Sequence, residues 1–297
     1  MPLVAVLIGV SFAVRSQDTR PAVTASQRPP GSVVAVMGSR LVVLAASDGR
    51  VERTLLWSPA GRTLGGIAVS SKTKRIYYTL GQGCGPPPEI WEIPISGGTP
   101  HRVASIGAAP AISPDGRFLA YSSTYTPGSR CPTLDTLAVR DLRTTREQRA
   151  QLAPRPFAVS AASWWPDSRR IEVTAGSDFE TVRVEADGLR VLTTIRLPGN
   201  GYVFLPSGEA ATAIPGATTS RLVAFDPTTG AQQRALAELN LPLVLLGGNP
   251  AGTSFLLSTL PTETSGSPNL YRVDLGNPQP FKLASNTGTA AWVPPTH

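Results

Sequence analysis

At 297 residues the chain is long enough for one large domain with a substantial core. Only 16% of it is charged, while 28 glycines and 29 prolines supply many turns, a balance of short strands that excludes a largely helical protein. The net charge of +7 rests on arginine, with lysine only at Lys72, Lys74 and Lys282; no aromatic residues interleave the densest basic run (Arg140, Arg143, Arg146, Arg149, Arg155) to stack bases, which excludes nucleic acid as a partner.

In chain order, the first element is Pro2–Val14, an uncharged apolar run that stops at Arg15. At about 1.5 Å per residue it is too short to cross a hydrocarbon core of about 30 Å. It lacks a basic n-region, although Ser11-Phe12-Ala13 fits a cleavage site. Two readings stay open for residues 1–14: an atypical export signal, or the remainder of a longer membrane anchor. Both place the rest of the chain outside the cytoplasm, secreted or tethered at the outer face of the membrane. Residues 15–32, rich in Pro, Ser, Thr and Arg, read as a flexible linker.

From residue 33 onward two patterns alternate, with a period of about 44 residues. The first is a strand of small residues, a tight turn and a second strand. It is clearest in Ala108–Tyr121 and returns at Ile67–Ile76, Ala161–Ile171, Gly201–Gly208, Leu246–Gly252 and Ala290–Pro294. The second is an alternating strand that runs into a turn: Leu41–Gly49, Ile90–Gly98, Leu137–Asp141, Val182–Gly188, Leu222–Gly230 and Leu270–Gly276. Asp and Gly recur at these turns because Gly takes positive φ freely and Asp bonds its own backbone. Six copies of each pattern make six four-stranded meanders A-B-C-D. This is an all-β, six-bladed β-propeller spanning residues 33–297. The clearest helical stretch, Ala231–Asn240, sits where a D strand is expected.

The chain opens with Val33–Met37, Arg40–Ala46 and Val51–Trp57, which match strands B, C and D with no A strand before them. It finishes with a lone A strand at Thr289–Val293. Pairing the two ends completes a blade and leaves no free sheet edge between the first and last blades.

The Ser113-Pro114-Asp115-Gly116-Arg117 turn and the Phe118–Tyr121 strand resemble the WD40-like (PD40) repeat of the bacterial TolB-type propellers. The resemblance implies six blades and a role as an interaction platform outside the cytoplasm.

The residues offer little catalytic chemistry. Histidine, the commonest general base near neutral pH, occurs only at His101, on a D strand, and at the terminal His297. No G-x-S-x-G elbow is present, and the one S-x-x-K match, Ser71 to Lys74, falls on a hairpin turn. The A strands that would line a central channel carry no Asp, Glu or His, so neither a metal nor another cofactor is expected. Asp115 and Asp167 read as turn residues, and Trp164, Trp165 and Trp292 as core between blades.

A–B and C–D turns share one face of such a ring, and B–C loops and D–A links share the other. The second face holds the stretches read as long loops: Leu80–Pro88, Ser122–Leu134, Ile214–Ser220 and Ser258–Pro268. Long loops are where a scaffold usually carries recognition. The candidate binding residues are therefore Tyr125 and Arg130 in one loop and Arg155, Asn200, Asn240 and Asn286 in D–A links, the asparagines serving either as turn residues or as a polar ring at the channel mouth. Cys84 and Cys131 lie in B–C loops of adjacent blades, and an exported protein allows them to form a disulfide. The expected function is a monomeric, non-catalytic binding module for a protein or peptide of the cell envelope, or for a small ligand at the channel mouth. The alternative is a propeller enzyme of the lactonase or lyase kind, which needs the channel carboxylates this sequence lacks.

Overall fold

The computed structural model describes residues 31–81, 86–123, 136–152, 159–175, 180–196, 201–259 and 267–293. They form twenty-four strands, all antiparallel, in six four-stranded sheets set around a ring. The chain begins with β1 (Ser32–Met37), β2 (Arg40–Ala45) and β3 (Val51–Trp57). Blade two is β4 (Thr63–Ser70), β5 (Arg75–Gly81), β6 (Glu89–Pro94) and β7 (His101–Ala104). Blade three is β8 (Ala108–Ile112), β9 (Phe118–Ser123), β10 (Thr136–Asp141) and β11 (Glu147–Gln151). Blade four follows with β12 (Val159–Trp164), β13 (Arg170–Ala175), β14 (Glu180–Glu185) and β15 (Arg190–Arg196). Blade five is β16 (Val203–Phe204), β17 (Ala210–Pro215), β18 (Ser220–Phe225) and β19 (Gln232–Leu239). Blade six is β20 (Leu243–Gly248), β21 (Ser254–Thr259), β22 (Leu270–Asp274) and β23 (Asn277–Ala284).

The last strand, β24 (Thr287–Val293), does not stay with blade six. It pairs antiparallel with β1, from Ser32↔Val293 to Val36↔Thr289, and completes the first blade. The end-to-end closure read from the repeats is therefore the observed one. The stretch with helical character lies in β19, because the neighbouring β18 offers it a ladder and an isolated helix of two turns has little stability of its own.

The core sits between blades, not within one. Successive residues of a strand point to opposite faces, and inner strands are covered on both. In β1, Val33 and Ala35 join a cluster with Leu256 and Leu270 of blade six, whereas Val34 and Val36 join one with Ile76 and Tyr78 of blade two. Double coverage explains the unbroken apolar runs Val33–Val36 and Leu41–Ala46. Burying each such Val or Leu contributes about 1.5–3 kcal/mol. The outer D strands are exposed on one side, and they carry charges (Glu52, Arg53, Arg190, Lys282) or prolines (Pro278, Pro280) that discourage further pairing.

The turns hold because aspartates cap them. Asp115, Asp167 and Asp226 each accept an N–H from two residues ahead, at 3.0, 2.9 and 2.7 Å. One expected long loop is corrected here. Ile214–Ser220 is a tight hairpin, with Pro215 paired to Ser220 and Gly216 N–H donating to the Thr219 carbonyl at 2.7 Å. Cross-strand register extends the ladder through a Pro/Gly-rich stretch that composition alone marks as irregular.

Candidate functional site

The C strand of each blade runs into a turn that leans on the preceding blade, and the backbone fixes which residues are equivalent. The first residue past the C-strand end donates its N–H to the carbonyl just before the B strand: Ala46 to Gly31, Ile95 to Lys74, Leu142 to Arg117, Ala186 to Arg169 and Leu275 to Thr253. In blade five the ladder ends one residue earlier; Asp226 holds its turn as Asp141 does, and the equivalent of Leu142 is Pro227, which has no N–H to give. Three residues earlier on each C strand stand Val43, Glu92, Val139, Arg183, Ala224 and Arg272.

Each junction between blades brings one C-strand residue towards the next blade's turn residue. Val43 meets Ile95 in one apolar cluster, and Ala224 meets Leu275 in another. Leu142 packs with Tyr77 beside Glu92. At two junctions the turn residue is small and an arginine makes up the volume. Arg183 donates to the Pro227 carbonyl, and Arg272 donates to the Ala46 carbonyl and, at 3.1 Å, to that of Ser47. Each arginine is held from its own blade, Arg183 by Glu172 at 2.5 Å and Arg272 by Asp274 at 3.0 Å. Glu172 also accepts from Trp165 Nε1 at 2.8 Å, and burial pushes its carboxyl above the ordinary range despite both partners.

Only between blades three and four are both residues small, Val139 and Ala186, and there a cleft of about 830 Å³ opens on the turn face. Its apolar lining is Phe118, Val139 and Ala186, with Phe118 stacked on Trp164 at 6.1 Å. Two hydrogen bonds tie its walls together: Asp115 N–H to Ser168 Oγ at 3.1 Å, and Gly188 N–H to Gln148 Oε1 at 3.0 Å.

The charged lining is largely pre-organised. Arg117 reaches Asp141 Oδ2 through Nε (3.2 Å) and Nη2 (2.8 Å) and lies over the Phe118 ring at 4.5 Å. The Arg117 guanidinium and the N–H groups of Arg143 and Thr144 hold the Asp141 carboxyl down at about 2, against a smaller opposing effect of burial. Burial acts against the Asp167 carboxylate, but the Arg169 N–H and the Arg170 guanidinium outweigh it and lower its pKa. Glu185 pairs with Arg190 at 2.7 Å. Asp187 has no hydrogen bond or ion pair among the described residues, although its charge helps raise the pKa of Arg117. In all, Asp115, Asp141, Asp167, Glu185 and Asp187 line the cleft together with Arg117, Arg146 and Arg169.

Of the residues expected from sequence to bind, Asn240 and Asn286 do not line the cleft. Tyr125, Arg130, Arg155, Asn200 and the Cys84–Cys131 pair fall outside the described residues. Asn240 and Asn286 are described, exposed, in D–A links on the opposite face from the cleft. Asn286 is a turn residue, with φ 55° and a carbonyl that accepts the Gly38 N–H at 3.1 Å. Trp164, Trp165 and Trp292 are buried, as read from sequence. Sequence reasoning missed the cleft, although aligning the six C–D units shows the coincidence of Val139 and Ala186. Among the described residues, no group of three or more His, Cys, Asp or Glu side chains is placed to hold a metal ion.

No family model matches the chain, and no curated protein matches it. Solved structures do. TolB from Acinetobacter baumannii superposes with a TM-score of 0.65 and 19% identity, over 89% of this chain and 67% of that one. A chain of the nidogen/laminin complex gives 0.61 and 13%, over 88% of this chain and 97% of its own length. The β-propeller domain of the trilobed protease from Pyrococcus furiosus, which has an open Velcro topology, gives 0.50 and 14%, over 75% and 71%. At such identities the likeness establishes the fold, so the chain is a β-propeller of the architecture that TolB shares, here with its ring closed by β24 on β1.

Proposed function

We propose that this chain is an extracytoplasmic, non-catalytic binding module that engages a protein or peptide of the cell envelope at the cleft between blades three and four. The observation that carries this reading is that cleft. It is roomy and charged, and its walls are fixed before any partner arrives by bonds from Arg117 to Asp141 and from Asp115 to Ser168. Pre-organised polar groups around a small apolar floor favour recognition, because little conformational entropy remains to be lost on binding. The apolar run Pro2–Val14 and the TolB-type resemblance support a place outside the cytoplasm. The neighbouring nidogen/laminin structure illustrates the fold within a protein complex.

The test is crosslinking of the full chain in its native envelope, comparing wild type with Ala186→Leu and Asp187→Arg in the cleft and Asn240→Arg on the other face. Loss of the crosslinked species in the cleft variants alone is the expected result. Loss only with Asn240→Arg would move recognition to the long-loop face, and turnover of a substrate by the wild type would overturn the non-catalytic assignment.

A further inference from the structure

The six junctions compare one construction six times within a single molecule. At three junctions a guanidinium from the preceding blade donates to the carbonyl of the turn residue, Arg183 to Pro227, Arg272 to Ala46 and Arg53 to Ile95, and at the two with a small turn residue it is balanced by a carboxylate. The junction at Ala186 has the same small turn residue, and its carbonyl receives no hydrogen bond from a described residue. Its C-strand partner is Val139, which has no group to donate. Of the carboxylates lining the cleft, Asp141, Asp167 and Glu185 are already paired with arginines and Asp115 caps its own turn, whereas Asp187 has no bonded partner among the described residues. Arg146 and Arg169 are exposed at the cleft, and neither side chain makes a described contact with Asp187.

Resting on the reading of the cleft as a binding site, we propose that its occupant is an arginine side chain of a partner protein, which enters in trans where Arg183 and Arg272 act in cis. The planar guanidinium would lie over the apolar floor of Phe118 and Val139, donate to the Ala186 carbonyl and pair with Asp187. Lysine has one compact charge and cannot span a carbonyl and a carboxylate in the same way.

The experiment titrates the full chain with a capped Gly-Arg-Gly peptide, its lysine and citrulline counterparts, a Gly-Asp-Gly peptide and free arginine. The arginine peptide is expected to bind about tenfold more tightly than the lysine peptide or free arginine, with no detectable binding of the citrulline peptide. Val139→Arg should fill the cleft in cis and abolish binding with no loss of Tm. Asp187→Asn, an exposed change that leaves the core untouched, should weaken binding about tenfold. Equal binding of the citrulline peptide, preference for the aspartate peptide, free arginine matching the peptide, or full binding by a folded Val139→Arg protein would each overturn the proposal. If no peptide binds while envelope crosslinking still depends on Ala186, the binding-module reading stands and the arginine assignment falls.

Discussion

The junction between blades three and four and the junction between blades four and five use the same strand positions and reach opposite outcomes. In one, Arg183 and Glu172 are both drawn inside, with side chains 8% and 0% exposed, and the guanidinium reaches across to the Pro227 carbonyl. In the other, Val139 and Ala186 leave the space open, and the polar groups remain at the surface, paired mostly within their own blades. A propeller tolerates this difference because backbone ladders hold each blade, and side chains need only fill what lies between. An open junction costs some core but exposes a rigid concave surface, and a closed one buries an ion pair at a cost in desolvation.

The largest effect should come from the one junction where a ladder spans the two chain ends. Removing Thr287–His297 takes away β24 and strips the inner edge from β1, a loss beyond the roughly 5–15 kcal/mol by which a domain is usually stable. No folded monomer is expected by circular dichroism and gel filtration, and an unchanged melting curve would show that the closure is dispensable.

The buried clamp comes next. Arg183→Ala strands the Glu172 carboxylate inside and should cost about 3–5 kcal/mol, whereas Arg183→Met with Glu172→Leu removes both charges and should return most of it. Urea titrations of the two proteins would separate the cost of an orphaned charge from the value of the pair.

At the ring closure the turn of blade one, besides accepting from Arg272, brings its backbone close against blade six. Gly49 has φ 75°, and a Cβ there would lie 2.0 Å from the Leu283 carbonyl oxygen. Gly49→Ala should therefore destabilise by about 2–4 kcal/mol, combining a left-handed backbone with a steric clash. A Tm within a degree of wild type would mean that this contact is not part of the closure.

The smallest effect concerns the wall of the open cleft. Asp141 titrates near 2 when folded, chiefly through Arg117, and near 3.9 when unfolded. Its folded value is depressed, so its contribution is present above about pH 4 and is lost as the pH falls towards 2. Asp141→Asn should lower Tm by about 2–4 °C at pH 6, and the gap from wild type should close by pH 2. A gap that persists at pH 2 would assign the effect to something other than the carboxylate charge.

Much of this was legible without coordinates, and the reasons are local. Strand alternation, Asp-Gly turns and small A-strand residues repeat in order along the chain, and counting B-C-D at one end and A at the other implies closure. The same reasoning misread Ile214–Ser220, because Pro and Gly signal a break in composition whereas pairing between Pro215 and Ser220 continues the ladder. Likewise Val139 and Ala186 look ordinary in sequence, each a small apolar residue in a strand or turn.

What the sequence determined by itself was therefore the repeating unit, since periodicity and turn chemistry act over a handful of residues. The tertiary structure alone decided what lies between the units. Arg183 meets Pro227 and Val139 meets Ala186 only after each blade has packed against the next, and residues more than forty apart in the chain become neighbours through a register that no local propensity encodes.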